Sequence, residues 1–250
     1  MACHFARWSP ASTVLDTRRL SAEVIAATAA FSIKRRQRFL QGRILLAELM
    51  FYLYGLPLLP PIATTPTGRP CFADHHLPDF SLAYAANTVG VLLSAEGKVG
   101  LDIEVMRARG GRQNALQPPH PTPAETAWIA AQDDRLEAET QLWSIRQSVL
   151  KISGLGNSGQ STLRLHPFSG HLRSSATPEV QVMSDADEYL SWACARAGTG
   201  TAGVLAIRRA AGAAKGRRDL CAFSGRIDPL RQADQPEHPR LKAATAQTPR

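Results

Sequence analysis

Asp102 and Glu104 stand one residue apart in the stretch Lys98-Val-Gly-Leu-Asp-Ile-Glu104, whose apolar residues read as a short strand. Side chains alternate along a strand, so the two carboxylates share one face while Ile103 turns into packing. Paired carboxylates repel one another unless a cation lies between them, and hard oxygen ligands of this kind suit Mg²⁺, which usually shares its shell with water and substrate phosphate. A solvated strand end is the competing reading, and for an isolated Asp-x-Glu it is the better one. Two other groups of residues bear on the choice. Lys34, Arg35, Arg36, Arg38 and Arg43 crowd one segment, and guanidinium groups suit phosphate oxygens. Trp143, Gln147 and Lys151 follow at intervals of four, the spacing of one helix face.

These residues need elements to hold them. After Ser32, the residues Phe39, Leu46, Leu49 and Leu53 recur at helical spacing until Gly55 and Pro57, which predicts an amphipathic helix of about five turns. Its basic first half opposes the helix dipole, a cost that a bound anion would offset; a merely solvated basic face is the alternative. Gly68-Arg69-Pro70, inside a Pro- and Thr-rich loop, reads as a turn holding one arginine outward. Phe80 to Ala85, Val89 to Ser94 and Val99 to Glu104 are strand candidates with joins short enough for hairpins. The carboxylates are therefore expected at the exit of an antiparallel meander. Thr122-Pro-Ala-Glu125 supplies an N-cap, a proline at the first helical position and a capping-box glutamate for a helix through Ala131. A second helix is predicted from about Glu137 to Ser153, with Leu142, Ile145, Val149 and Ile152 facing a core. Apolar runs at Leu163 to Leu165, Val180 to Met183, Leu190 to Ala195 and Val204 to Ile207 read as strands of a second sheet. Residues 1–30 are expected to hold an irregular start and a short helix near Val24 to Ala30. Together these elements predict an α+β fold of two lobes of similar size, each a small, mostly antiparallel sheet packed with helices.

A chain of 250 residues, 44% of them hydrophobic, can bury a real core in one domain or two. Its four cysteines, at 3, 71, 194 and 221, show no Cys-x-x-Cys pairing and no zinc spacing with histidine. That fits a reducing cytosol, with Cys71 and Cys194 as small buried hydrophobes. No apolar run reaches about 18 residues and the N-terminus lacks the order of a secretory signal, so a cytoplasmic protein with no membrane partner is expected. The formal charge is +8, but residues 208–250 hold ten Lys and Arg against four Asp and Glu and lack hydrophobic periodicity. The excess belongs to a tail expected to be disordered. Without an RNA motif or an aromatic stacking pattern, a nucleic-acid partner is not expected.

In order, the chain carries Arg38-Phe-Leu-Gln-Gly42-Arg43, Gly68-Arg69-Pro70, Phe80-Ser-Leu-Ala-Tyr84, Val99-Gly-Leu-Asp102-Ile-Glu104 and Trp143-Ser-Ile-Arg-Gln147-Ser-Val-Leu-Lys151. This succession resembles the 4′-phosphopantetheinyl transferase superfamily in its long, pseudo-dimeric form. The resemblance implies two pseudo-symmetric lobes with the active site in the cleft between them, divided here as 1–105 and 106–207, with 208–250 as the tail. It implies Mg²⁺-dependent transfer of the phosphopantetheine arm of coenzyme A to a serine of an acyl or peptidyl carrier protein, by a monomer. Asp102, Glu104 and Gln147 would be the metal ligands. Lys151 would neutralise charge growing on phosphoryl oxygens, and Glu104 is a candidate acceptor of the serine proton. Arg38, Arg43, Arg69 and Tyr84 would contact the coenzyme, while Trp143 is expected to pack at the lobe junction.

Two positions depart from the family's pattern. Its Asn-(Leu or Ile)-Ser-His is Ser81-Leu82-Ala83-Tyr84 here, and a tyrosine donates one hydrogen bond but carries no positive charge. Its Lys-Glu after the tryptophan is Arg146-Gln147, so a third acid becomes a neutral amide that can offer a metal its carbonyl oxygen but cannot act as a base. Two readings stay open: an active transferase with an altered metal site, and a transferase-like protein that binds coenzyme A or carrier protein without turnover.

Overall fold

A computed structural model describes residues 3–10, 14–106, 121–198 and 204–207. The basic tail and nearly all of the Arg-, Gly- and Pro-rich stretch before Thr122 fall outside them. The first half begins with strand β1 (Cys3–Trp8) and a short helix α1 (Ala22–Ala26), then the long helix α2 (Ile33–Tyr54). Ser32 caps α2 by accepting the Arg35 N–H, and Gly55 ends it at φ 69°, a left-handed turn that glycine adopts without strain. Strands β2 (Ile62–Thr64) and β3 (Pro70–Phe72) form a small hairpin, followed by β4 (Asp79–Ala85) and β5 (Thr88–Ser94). The buried face of α2, with Leu40, Ile44, Leu45 and Leu49, packs with Phe80, Val89, Val91 and Leu93 of these strands.

The second half opens with strand β6 (Val99–Val105) and helices α3 (Pro123–Ala130) and α4 (Arg135–Ser153). Thr122 and Glu125 form the expected capping box. Helix α4 starts earlier than its apolar pattern predicts because Asp134 accepts the Glu137 N–H at 3.0 Å. Strands β7 (Leu163–His166), β8 (His171–Ser174), β9 (Val180–Ala186), β10 (Leu190–Ala197) and β11 (Val204–Ile207) follow. With β6 they build a six-stranded sheet in the order β6-β10-β9-β11-β8-β7, antiparallel except where β11 meets β9. Leu142, Ile145, Val149 and Ile152 of α4 all lie in its core.

Two expectations are corrected. Residues 3–8, read as irregular, are a strand paired with β5 from Cys3 opposite Ser94 to Trp8 opposite Val89. The meander also does not continue into the carboxylate strand, because β5 lies between β1 and β4 and has no free edge. Strand β6 pairs instead with β10, Asp102 opposite Ala193 and Glu104 opposite Ser191. It meets the first sheet through side chains: Ser81 Oγ accepts the Leu101 N–H at 2.9 Å and Asp79 accepts the Val99 N–H at 2.7 Å. A third apolar cluster, with Phe5, Leu92, Leu101, Ile103 and Trp192, fills the space between the sheets. The outcome is the expected α+β arrangement of small, mostly antiparallel sheets packed with helices in two halves. Among the described residues no helix is long and apolar enough to cross a membrane.

Candidate active site

The carboxylate strand and helix α4 approach at backbone distance. A Cβ on Gly100 would overlap the carbonyl oxygen of Ser148, so only glycine fits there. That closeness brings Lys151 onto β6, where its Nζ donates to the Leu101 carbonyl at 2.7 Å and to Asp102 Oδ1 at 2.8 Å. Two turns earlier on the same helix face, Trp143 Nε1 donates to Glu104 Oε1 at 3.1 Å. Trp143 therefore does more than pack at a junction: it orients one of the paired carboxylates. Its spacing of four from Gln147 and Lys151 was the signal for this.

Eight helical residues span about 12 Å and two strand residues about 7 Å, so the side chains of Trp143 and Lys151 lean inward toward β6. Gln147 stands midway along that helix face and is half-buried. Asp102 is 7% exposed, and a carboxylate so placed demands compensation, which the Lys151 ammonium supplies. The donor set of two carboxylates and one amide carbonyl consists of hard oxygens, which fits a divalent ion of the Mg²⁺ type. Such an ion would share Asp102 with Lys151.

Arg146, beside Gln147, is buried and pairs with Glu125, whose other oxygen closes the capping box of α3. This pair anchors α3 on α4, and its charges are spent on each other. A second group of possible metal ligands, Asp74, His75 and His76, lies exposed on the loop before β4, with ligand atoms within 4.8 Å of one another.

The expected coenzyme contacts divide. Arg38, Arg43 and Tyr84 line one cleft of about 450 Å³ together with Ser32, Lys34, Arg35 and Phe39. The N-terminal turns of α2 supply all of these except Tyr84, which β4 presents across the opening. A Cβ on Gly42 would overlap the Tyr84 hydroxyl, so the glycine makes the tyrosine's seat. Burial pushes the Tyr84 hydroxyl above the usual phenol range, and Arg43 and Arg38 only partly oppose this, so the ring stays neutral. Burial also lowers Arg43, with the Tyr84 oxygen opposing. Arg43 stacks 3.6 Å from the centre of Phe39, Arg35 4.1 Å from that of Phe31, and the two phenylalanines meet edge to face. Aromatic faces thus hold two of the cleft's guanidinium groups, those of Arg35 and Arg43, and the role of Phe31 and Phe39 escaped the sequence reading.

Arg69 does not join them. The structure corrects the expectation of an outward arginine: its side chain is 10% exposed and forks onto the Asp79 carboxylate. Its remaining donors reach the carbonyls of Lys151, Phe80 and Val99 at 3.1, 3.1 and 2.8 Å. Nothing in Gly-Arg-Pro alone shows this, because the acceptors come from three other elements.

Comparison with known proteins bears on this geometry. Residues 98–202 match the family model described as the 4′-phosphopantetheinyl transferase superfamily. Uncharacterized protein YieE of Escherichia coli (strain K12) is 41% identical over 198 residues, covering 78% of this chain and 80% of that protein. The 4′-phosphopantetheinyl transferase AcpT of Escherichia coli (strain K12) is 30% identical over 132 residues, 48% of this chain and 59% of its own length. AcpT of Salmonella typhimurium is 30% identical over 122 residues, with 48% and 60% covered.

Proposed function

Because the chain belongs to the 4′-phosphopantetheinyl transferase superfamily, we propose that it transfers the phosphopantetheine arm of coenzyme A to a serine of an acyl or peptidyl carrier protein. The observation that carries this reading is the joining of Asp102 to Lys151 and of Glu104 to Trp143 along one helix face. Its corollaries are that the protein acts in the cytoplasm as a monomer.

In the reaction, the serine oxygen attacks the phosphorus that bears the pantetheine arm, and the bond from that phosphorus to the bridging diphosphate oxygen breaks. Adenosine 3′,5′-bisphosphate leaves. Asp102, Glu104 and the Gln147 carbonyl would hold Mg²⁺, which when bound would screen the diphosphate charge. Lys151 has three donors, two of them taken by Leu101 and Asp102, and its side chain is 36% exposed. The third donor can meet a phosphoryl oxygen and stabilise its growing charge. Glu104, held by Trp143, is the carboxylate left to accept the serine proton, directly or through water, since Gln147 cannot. The cleft of Arg38, Arg43 and Tyr84 suits the coenzyme's phosphates.

Gln147 in place of an acid favours a second reading, a protein that binds coenzyme A or carrier protein without turnover. Intact-mass spectrometry separates the two. Unmodified carrier proteins are incubated with this protein, coenzyme A and Mg²⁺, with Asp102→Ala as control. A gain of about 340 Da that requires Mg²⁺ and Asp102 supports transfer, that mass being the phosphopantetheine arm on serine. Coenzyme binding with no gain on any carrier supports the second reading.

A further inference from the structure

We propose that Arg69, held by Asp79, is the positioning residue that sets Lys151 against Asp102. The catalytic consequence rests on the transferase reading; the geometric claim does not.

A single planar guanidinium joins three elements here. Its Nε donates to the Lys151 carbonyl at the end of α4 at 3.1 Å, and its Nη2 to Phe80 of β4 and Val99 of β6 at 3.1 and 2.8 Å. The last carbonyls of a helix lack intrahelical partners and sit at its negative end, so a cation is favoured there. Asp79 grips both Nη atoms and also accepts the Val99 N–H at 2.7 Å. Both backbone polar groups of Val99, three residues before Asp102, are thereby tied to the ion pair that holds the main chain of Lys151.

The loop carrying Arg69 is itself fixed. Thr65 Oγ1 accepts the Arg69 N–H at 3.0 Å, and the Thr65 N–H donates to the Arg69 carbonyl at 2.8 Å. A Cβ on Gly154, which ends α4 at φ 70°, would overlap Thr67, so this loop lies directly on the helix end. Lysine cannot replace the arrangement, because an ammonium is a point donor and cannot serve a carboxylate bidentately while reaching three carbonyls in its plane. The ion pair therefore sets how far α4 slides along β6, and Lys151 carries any slip out to its ammonium. Misplacement of a catalytic group by about 1 Å can cost about 100-fold in rate.

The test uses full-length Arg69→Lys and Asp79→Asn, the second being read if the first fails to fold. Lysines are labelled with ¹³C at Cε, and the Lys151 signal is identified by its loss in Lys151→Arg. A held methylene shows two inequivalent protons, and a freely rotating one a single averaged line. The expected result is two lines in the parent protein and one in the variant, with cooperative unfolding retained. Two lines persisting in the variant would overturn the proposal whatever the protein's activity. With a responsive carrier protein in hand, kcat should fall about 100-fold while KM for coenzyme A stays within about threefold. A KM rise of about tenfold or more with kcat retained would make Arg69 a coenzyme contact and overturn the proposal equally. Failure of transfer on every carrier would sink the transferase reading and leave the line shape to decide the geometry.

Discussion

Trp143 Nε1 lies 3.1 Å from Glu104 Oε1, so the orientation of one carboxylate of the pair depends on an indole N–H from the facing helix. Groups that orient metal ligands typically alter metal affinity by about 10- to 100-fold when removed. Trp143→Phe keeps the ring volume and loses the donor. It should weaken Mg²⁺ or Mn²⁺ binding by about tenfold, read by calorimetry, and lower transfer, with little change in unfolding temperature. Unchanged ion affinity would show that Glu104 needs no help from the indole.

Gln147 stands between Trp143 and Lys151 on the same face, and an acid there would add one negative charge to the donor set. Gln147→Glu is expected to tighten Mn²⁺ binding by about tenfold and to preserve or raise the transfer rate. Titration followed by electron paramagnetic resonance checks the first part. If affinity does not move, Gln147 is not a ligand.

Gly100→Ala forces a methyl group into the Ser148 carbonyl and must push α4 away from β6. Overpacking of this kind costs about 1–3 kcal/mol, readable as a lower midpoint in urea. The same displacement should lower transfer more than the stability loss alone explains, because it separates Lys151 from Asp102.

Gly42→Ala tests the basic cleft in the same way, since its methyl group would displace Tyr84 from beside Arg43. Coenzyme A binding, measured calorimetrically, is expected to weaken by about tenfold, an effect of about 1.4 kcal/mol. Tyr84→Phe removes only the hydroxyl and should cost less. A cleft indifferent to both variants would not be the coenzyme site.

Arg7 joins β1 to the β9–β10 turn, pairing with Asp187 at 2.6 Å and stacking on Trp192. Burial raises the Asp187 carboxyl, but the N–H groups of Tyr189 and Leu190 and the Arg7 charge outweigh it and hold the group below its ordinary 3.8. A carboxyl depressed in the folded state contributes stability that is complete above the ordinary value and is lost as pH falls through the folded one. The unfolding temperature should therefore drop in acid below about pH 4, and Arg7→Met should flatten that dependence. An equal acid slope in the variant would remove Arg7 from the account.

Much of the site was legible because its rules are local. Alternation along a strand puts Asp102 and Glu104 on one face, a period of four puts Trp143, Gln147 and Lys151 on another, and Ser32, Gly55, Thr122 and Gly154 mark the ends of helices. A residue's immediate neighbours decide such features, so the sequence by itself determined the helices, most of the strands and the composition of the two facing rows.

What it did not determine were the partners. Strand β6 pairs with β10 rather than β5 because both edges of β5 are occupied, one of them by β1, whose six residues gave little periodic signal. Arg69 turns inward because acceptors 10, 11, 30 and 82 residues away converge on it. Strand edges and buried charges must be satisfied across the whole molecule, so only the tertiary structure could decide which segment fills each edge and which carbonyls surround a guanidinium.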